Sequence, residues 1–158
     1  MKRKVVLVTG KDEVQVRQVG DVLALAGITF RQRTKTADAV SVEKVDQGQL
    51  AKIFRAYRGL VAGACATRFT DCLETAALAI DDAGADGQVI VVGDGPEAAQ
   101  IVEEARSHNL RAITVSAPAL LATPRREIHR AFSRLDVAYE KADLFKAIDK
   151  AISIREAA

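Results

Sequence analysis

With 158 residues, 49% of them apolar and only 4% aromatic, the chain is long enough for one domain with a Val, Ile, Leu and Ala core. Its two cysteines, Cys65 and Cys72, and two histidines lack the Cys-x-x-Cys spacing of a zinc site and argue against a disulfide framework. No apolar run approaches the roughly 20 residues of a membrane span, and a formal charge of +2 is too small to mark a nucleic-acid-binding chain by itself.

The first element is "KVVLVTG", an apolar strand that Thr9 and Gly10 bring to an end. From Asp12 to Ala26 the apolar residues Val19, Val22, Leu23 and Ala26 share one helical face, and Gly27 stops the helix. "ITFRQRT" reads as a second strand with alternating character, and "ADAVSVE" fits either a short strand or a turn of helix. Asp46 followed by Gln49 resembles a capping box ahead of Leu50, Ile53, Phe54 and Tyr57. "GLVAGAC" is a small-residue strand, after which Asp71 and Glu74 repeat the capping pattern before a helix that Gly84 ends.

"QVIVVG" is a fully apolar strand, and Pro96 starts a helix carrying Ala98, Ile101, Val102 and Ala105 on one face. "RAITVS" is the next strand, Thr123 and Pro124 open a helix through Arg134, "DVAY" is a short final strand, and a last helix runs from Ala142. Strands that alternate with helices of this length predict parallel crossovers. The expectation is a single α/β domain over 1–158, a three-layer doubly wound sandwich of five or six mainly parallel strands with the first strand central.

Ligands of such sheets sit beyond the carboxyl ends of the strands. The residues just past each strand are Thr9, Gly10, Lys11 and Asp12, then Thr34 and Lys35, then Cys65, Thr67 and Arg68, then Gly93, Asp94 and Gly95, then Ser116, and lastly Glu140 and Lys141. "TGKD" lacks the glycine spacing and the Lys-Ser or Lys-Thr pair of a phosphate loop, so Gly10 reads as a tight strand-to-helix turn. "GDGP" is the better candidate for a small ligand or nucleotide, because its glycines allow close approach and Pro96 aims a helix amino terminus at the same place. Asp12, Asp71 and Asp94 could converge as metal ligands, although Asp71 has a cap to make and Asp94 a turn. Cys65 beside Arg68 lacks a base and reads as a small buried thiol.

Arg126, Arg130 and Arg134 recur every fourth residue, opposite Ile128, Ala131 and Phe132. The stripe reads as a solvated face that could dock an acidic protein or, with weaker support, nucleic acid.

These residues carry a resemblance. "VLVTGKDEVQVRQVGDVLALAGITFRQRTKTADAV" and "GLVAGACATRFTDCLETAALAIDDAGADGQVIVV" look like the opening and middle of a two-component receiver domain, a flavodoxin-like or Rossmann-like fold. The likeness rests on hydrophobic pattern more than on motif, with an insertion around 41–49. In this register Gly10 and Lys11 stand where receivers hold a magnesium-binding acidic pair, Ala64 stands at the phosphoacceptor and Gly93 at the switch residue. A second register makes "ITVS" the fourth strand. Ser116, Tyr139 and Lys141 then resemble the switch residue, the aromatic and the lysine, while Gly93 falls at the acceptor with Asp94 one place late.

A weaker resemblance joins "VIVVGDGPEAAQIVEEARSHNLRAITVS" to metal-dependent nucleases of the NYN and PIN kind, whose first-strand aspartate is missing here. The expected protein is therefore a cytoplasmic signalling or scaffolding module rather than an enzyme. It would need no cofactor and no metal, bind no membrane, and act through a protein partner or a second copy, with Tyr139 to Ile154 as one candidate face.

Overall fold

A computed structural model of the chain describes residues 4–25, 39–41, 46–56, 60–65, 69–135 and 149. In chain order the elements are β1 (Lys4–Gly10), α1 (Glu13–Leu25), β2 (Ala39–Ser41), α2 (Gln47–Ala56), β3 (Leu60–Cys65), α3 (Phe69–Asp82), β4 (Asp86–Val92), α4 (Pro96–Ser107), β5 (Arg111–Val115), α5 (Ala117–Ala122) and α6 (Pro124–Arg134). The described strands form one parallel sheet in the order β2-β3-β1-β4-β5. β1 pairs with β3 on one side and with β4 on the other, Thr9 standing level with Ala64 and with Val91.

Residues 5–8 and 89–92 are all buried, as strands covered on both faces must be. Alternate residues feed two cores. Val5, Leu7, Val89, Val91 and Ala112 pack with Leu50 and Phe54 of α2, Leu73, Ala76 and Ile80 of α3, and Ile101, Val102 and Ala105 of α4. Val6, Val8, Ile90 and Val92 point the other way, toward the side on which α5 packs against α1 and α6. Helices therefore cover both faces. Among the described residues no helix is long and apolar enough to cross a membrane.

Local chemistry explains most of the boundaries. The Asp12 carboxylate accepts from the Val14 and Gln15 amides at 3.0 and 3.2 Å and caps α1. Asp46 does the same for α2 through the Gln49 amide at 2.9 Å. At the end of α3, Gly84 takes φ +66°, and the Ala85 amide reaches back to the Ile80 carbonyl at 3.0 Å, a Schellman-type stop. Asp12→Ala is expected to cost about 1 kcal/mol, read as an earlier thermal midpoint with unchanged far-ultraviolet dichroism.

Three expectations need correction, and one element is new. α3 begins at Phe69, so Asp71 is its third residue and not its cap. Ser116 and Thr123 bracket a short helix, α5, in a stretch to which the sequence reading assigns no element. Thr123 precedes α6 without capping it, because its hydroxyl donates instead to the Ala119 carbonyl at 3.1 Å. The third correction concerns sheet order. The first receiver register makes "GLVAGAC" and "QVIVVG" the third and fourth strands of a 2-1-3-4-5 sheet, which must be adjacent. Here β3 and β4 lie on opposite sides of β1. The ambiguous "ADAVSVE" supplies strand β2. "ITFRQRT", "DVAY" and, apart from Asp149, the last helix lie outside the described residues.

Candidate functional site: a crevice between β1 and β4

The chain leaves β1 toward the face of α1 and leaves β4 toward the face of α4. Adjacent parallel strands whose connections part in this way open a crevice between their carboxyl ends, the place where open α/β sheets bind ligands. A cavity of about 260 Å³ lies there, lined by Lys11, Asp12 and Gln15 from the β1 side and by 92–95, Glu97, Ala98 and Ile101 from the β4 side.

Each rim is built by backbone constraints. Gly10 is buried at the end of β1, level with Val92 of β4, and a Cβ on it would sit 2.6 Å from the Val92 carbonyl oxygen and 3.1 Å from Val16 Cγ2. Only glycine fits there without the backbone moving. Gly93 takes φ +143°, outside the range of L side chains, while its amide donates to the Val115 carbonyl at 2.9 Å and ties the loop to β5. Gly93→Ala is expected to cost about 1–3 kcal/mol through backbone strain, measurable by urea denaturation. Gly95 is the N-cap of α4 and Pro96 comes next, so no side chain caps this helix start.

Charge in the crevice is mixed and mostly spoken for. Lys11 Nζ lies 2.7 Å from Glu97 Oε1, bridging the two rims, with both side chains 60% exposed. An ion pair so exposed is worth under about 1 kcal/mol. It cancels charge across the mouth but does not clamp it shut. Asp12 is occupied by its helix cap. Asp94 is exposed, and among the described residues no hydrogen bond or ion pair engages its carboxylate.

Of the residues picked from the sequence, Lys11, Asp12, Gly93, Asp94 and Gly95 meet at this crevice. Thr9 and Gly10 lie beneath it, buried in and at the end of β1, and do not line it. Thr9 Oγ1 is buried and has no hydrogen-bond partner among the described residues. Ser116 is also absent from the lining. It caps α5, accepting from the Ala119 amide at 3.4 Å. Arg68, Tyr139 and Lys141 lie outside the described residues, as do Thr34, Lys35, Thr67 and Glu140. Sequence reasoning misses Glu97 and Gln15. Both stand in the first turn of a helix, and the first turns after β1 and β4 are the places where they could have been found. Among the described residues no three His, Cys, Asp or Glu side chains gather as a metal-ligand group.

The arginine stripe is not uniform. Arg126 and Arg134 are exposed, as expected. Arg130 is only part-exposed, because its guanidinium turns back at 2.9 Å to Glu127, whose side chain is 14% exposed. Beside the stripe, Arg125 binds Asp149 through both carboxylate oxygens, Nε to Oδ1 at 3.1 Å. The hydrogen bond from Arg125 holds the Asp149 carboxyl below its ordinary range. Whatever this contact contributes is present above the ordinary carboxylate pKa and fades as pH falls through the lowered one.

No family model and no curated protein matches the chain. Solved structures do resemble it, and they are designed proteins. A de novo designed protein of the P-loop NTPase fold superposes with TM-score 0.56 at 11% identity, over 87% of this chain and 98% of that one. A second protein designed on that fold gives 0.52 at 15% identity over 89% and 98%. A designed PLOOP2X3_50 fold protein gives 0.53 at 12% identity over 82% and 96%. At such identities the likeness defines the class of fold alone: an α/β protein with a parallel sheet. The loop after β1 stands where a phosphate loop would join strand to helix, but "TGKDE" has a single glycine and no Lys-Ser or Lys-Thr.

Proposed function

We propose that the chain is a non-catalytic signalling or scaffolding module, a receiver-like domain without phosphoryl chemistry that acts through protein contacts. The reading uses the second register. With β3 taken in place of "ITFRQRT" as the second strand, β3, β1, β4 and β5 stand as the second, first, third and fourth strands of a flavodoxin-like sheet. The unit of β2 and α2 is added at its edge. Sheet order is the observation that supports it, since β3-β1-β4-β5 runs 2-1-3-4 in that numbering.

The chemistry depends on what occupies the crevice. Phosphoryl transfer to an aspartate requires carboxylates that hold a divalent cation to neutralise the transferring group. Gly10 and Lys11 stand at the two acidic positions, and Gly93 stands at the acceptor. No side chain fits at Gly10, because Val92 fills the space. Lys11 brings a fixed positive charge already matched by Glu97. Such a site is constant, and its output lies on the helical surfaces.

Incubation with acetyl phosphate and Mg²⁺, then intact-mass measurement, is expected to show no phosphate adduct. A hydroxylamine-labile adduct overturns the reading, and Asp94 becomes the residue to substitute.

The cavity at the strand ends favours a second reading, a small polar or nucleotide ligand held by "GDGP" and Lys11. A ligand at 100 times its Kd stabilises a fold by about 2.7 kcal/mol. For a domain of this size that is a rise of roughly 5–10 °C in Tm. A thermal-shift panel of nucleotides and phosphosugars that yields such a rise favours this reading, and a flat panel leaves the protein-contact module.

A further inference from the structure

α6 carries charge that the other described residues do not answer. Every other described helical arginine has a carboxylate or carbonyl partner. Among the described residues Arg126 and Arg134 have none, and both are exposed. Arg130 stands between them, one turn from each, with its Nε buried and unpartnered although its terminal nitrogen meets Glu127. The opposite flank of α6 buries Ile128 and Ala131, which fixes the helix on the domain and leaves this row facing outward.

We propose that this flank docks an acidic helical segment of a protein partner, its carboxylates spaced four residues apart to meet Arg126, Arg130 and Arg134. The inference rests on the protein-contact reading above and names the partner's chemistry. Three guanidinium groups at one-turn intervals span about 12 Å of helix, matching carboxylates of equal spacing on a second helix. Arginine forks bind carboxylates in two-point geometry, and the exposed forks of Arg126 and Arg134 have no partner among the described residues. A nucleic-acid duplex fits less well. Stable duplex binding commonly engages about 6–10 phosphates, whereas the row offers three groups on a chain of net charge +2.

A labelled synthetic helical peptide with Glu at every fourth residue over three turns tests this by fluorescence anisotropy. It is compared with an isomer of the same composition whose Glu residues are spread over all faces, and with a short RNA duplex. The spaced peptide is expected to bind at least about tenfold more tightly than the isomer. That affinity should fall as salt rises, because exposed charges are screened within about 8 Å at physiological ionic strength. The Arg126→Glu/Arg134→Glu variant should lose the preference while keeping its Tm. If that variant melts early, Arg126→Gln/Arg134→Gln is read in its place. Equal binding of the two peptides, unchanged binding by the variant, or tighter binding of the duplex overturns the proposal. Neither peptide result bears on phosphorylation, so a failure here is separate from a failure of the receiver-like reading.

Discussion

Gly10→Asp, the substitution that would place a carboxylate at the end of β1, is expected to destabilise the domain by about 3 kcal/mol or more. That corresponds to a fall in Tm of roughly 6–12 °C. The cause is steric before it is electrostatic. A Cβ at this position overlaps the Val92 carbonyl at 2.6 Å, and backbone of a central strand cannot swing aside as a side chain can. The carboxylate would also enter a buried position beside Val16. Lys11→Asp is the control. Its side chain is exposed, so the fold should persist while the pair with Glu97 is lost. A Gly10→Asp protein that melts like the parent would mean that β1 and β4 can separate at this point, and that the crevice is less fixed than described.

Phe54→Ala is expected to cost about 3–5 kcal/mol, a fall in Tm of roughly 6–20 °C by the same scaling. Phe54 is the largest fully buried side chain among the described residues, at 0% exposure, and it packs from α2 into the cluster shared with α3 and α4. A small loss in chemical denaturation would show that the α2 edge contributes little to the cooperative unit. The added-unit reading would then gain support, with β2 and α2 an appendage to a sheet that stands without them.

How much the sequence disclosed depends on the range of each signal. Buried strands announce themselves by unbroken apolar runs, so β1 and β4 are legible at once. β2, at three residues, carries too short a period to separate strand from helix. α5 is hidden because "APALLA" has no polar face to set a period, although Ser116 with a proline at the helix start is itself a cap signal. Strand order is out of reach. Alternation assigns residues to faces and says nothing about which strands are neighbours, and that is why the first receiver register looks sound on pattern and fails on pairing. Half of the crevice is legible in the loops after β1 and β4. The remainder is Val92 at the end of β4, Gln15 and Glu97 in the first turns of α1 and α4, and Ala98 and Ile101 further along α4, which the relative placement of strands and helices brings to the site.

The most direct measurement of the central claim is a calorimetric titration of the parent protein with Mg²⁺ at low ionic strength. With no carboxylate at Gly10 or Lys11, and Lys11 matched to Glu97, the expected trace shows dilution heats alone. A saturable one-to-one binding heat that disappears in Asp94→Asn would place a working cation site between β1 and β4 and contradict the account of a module without phosphoryl chemistry.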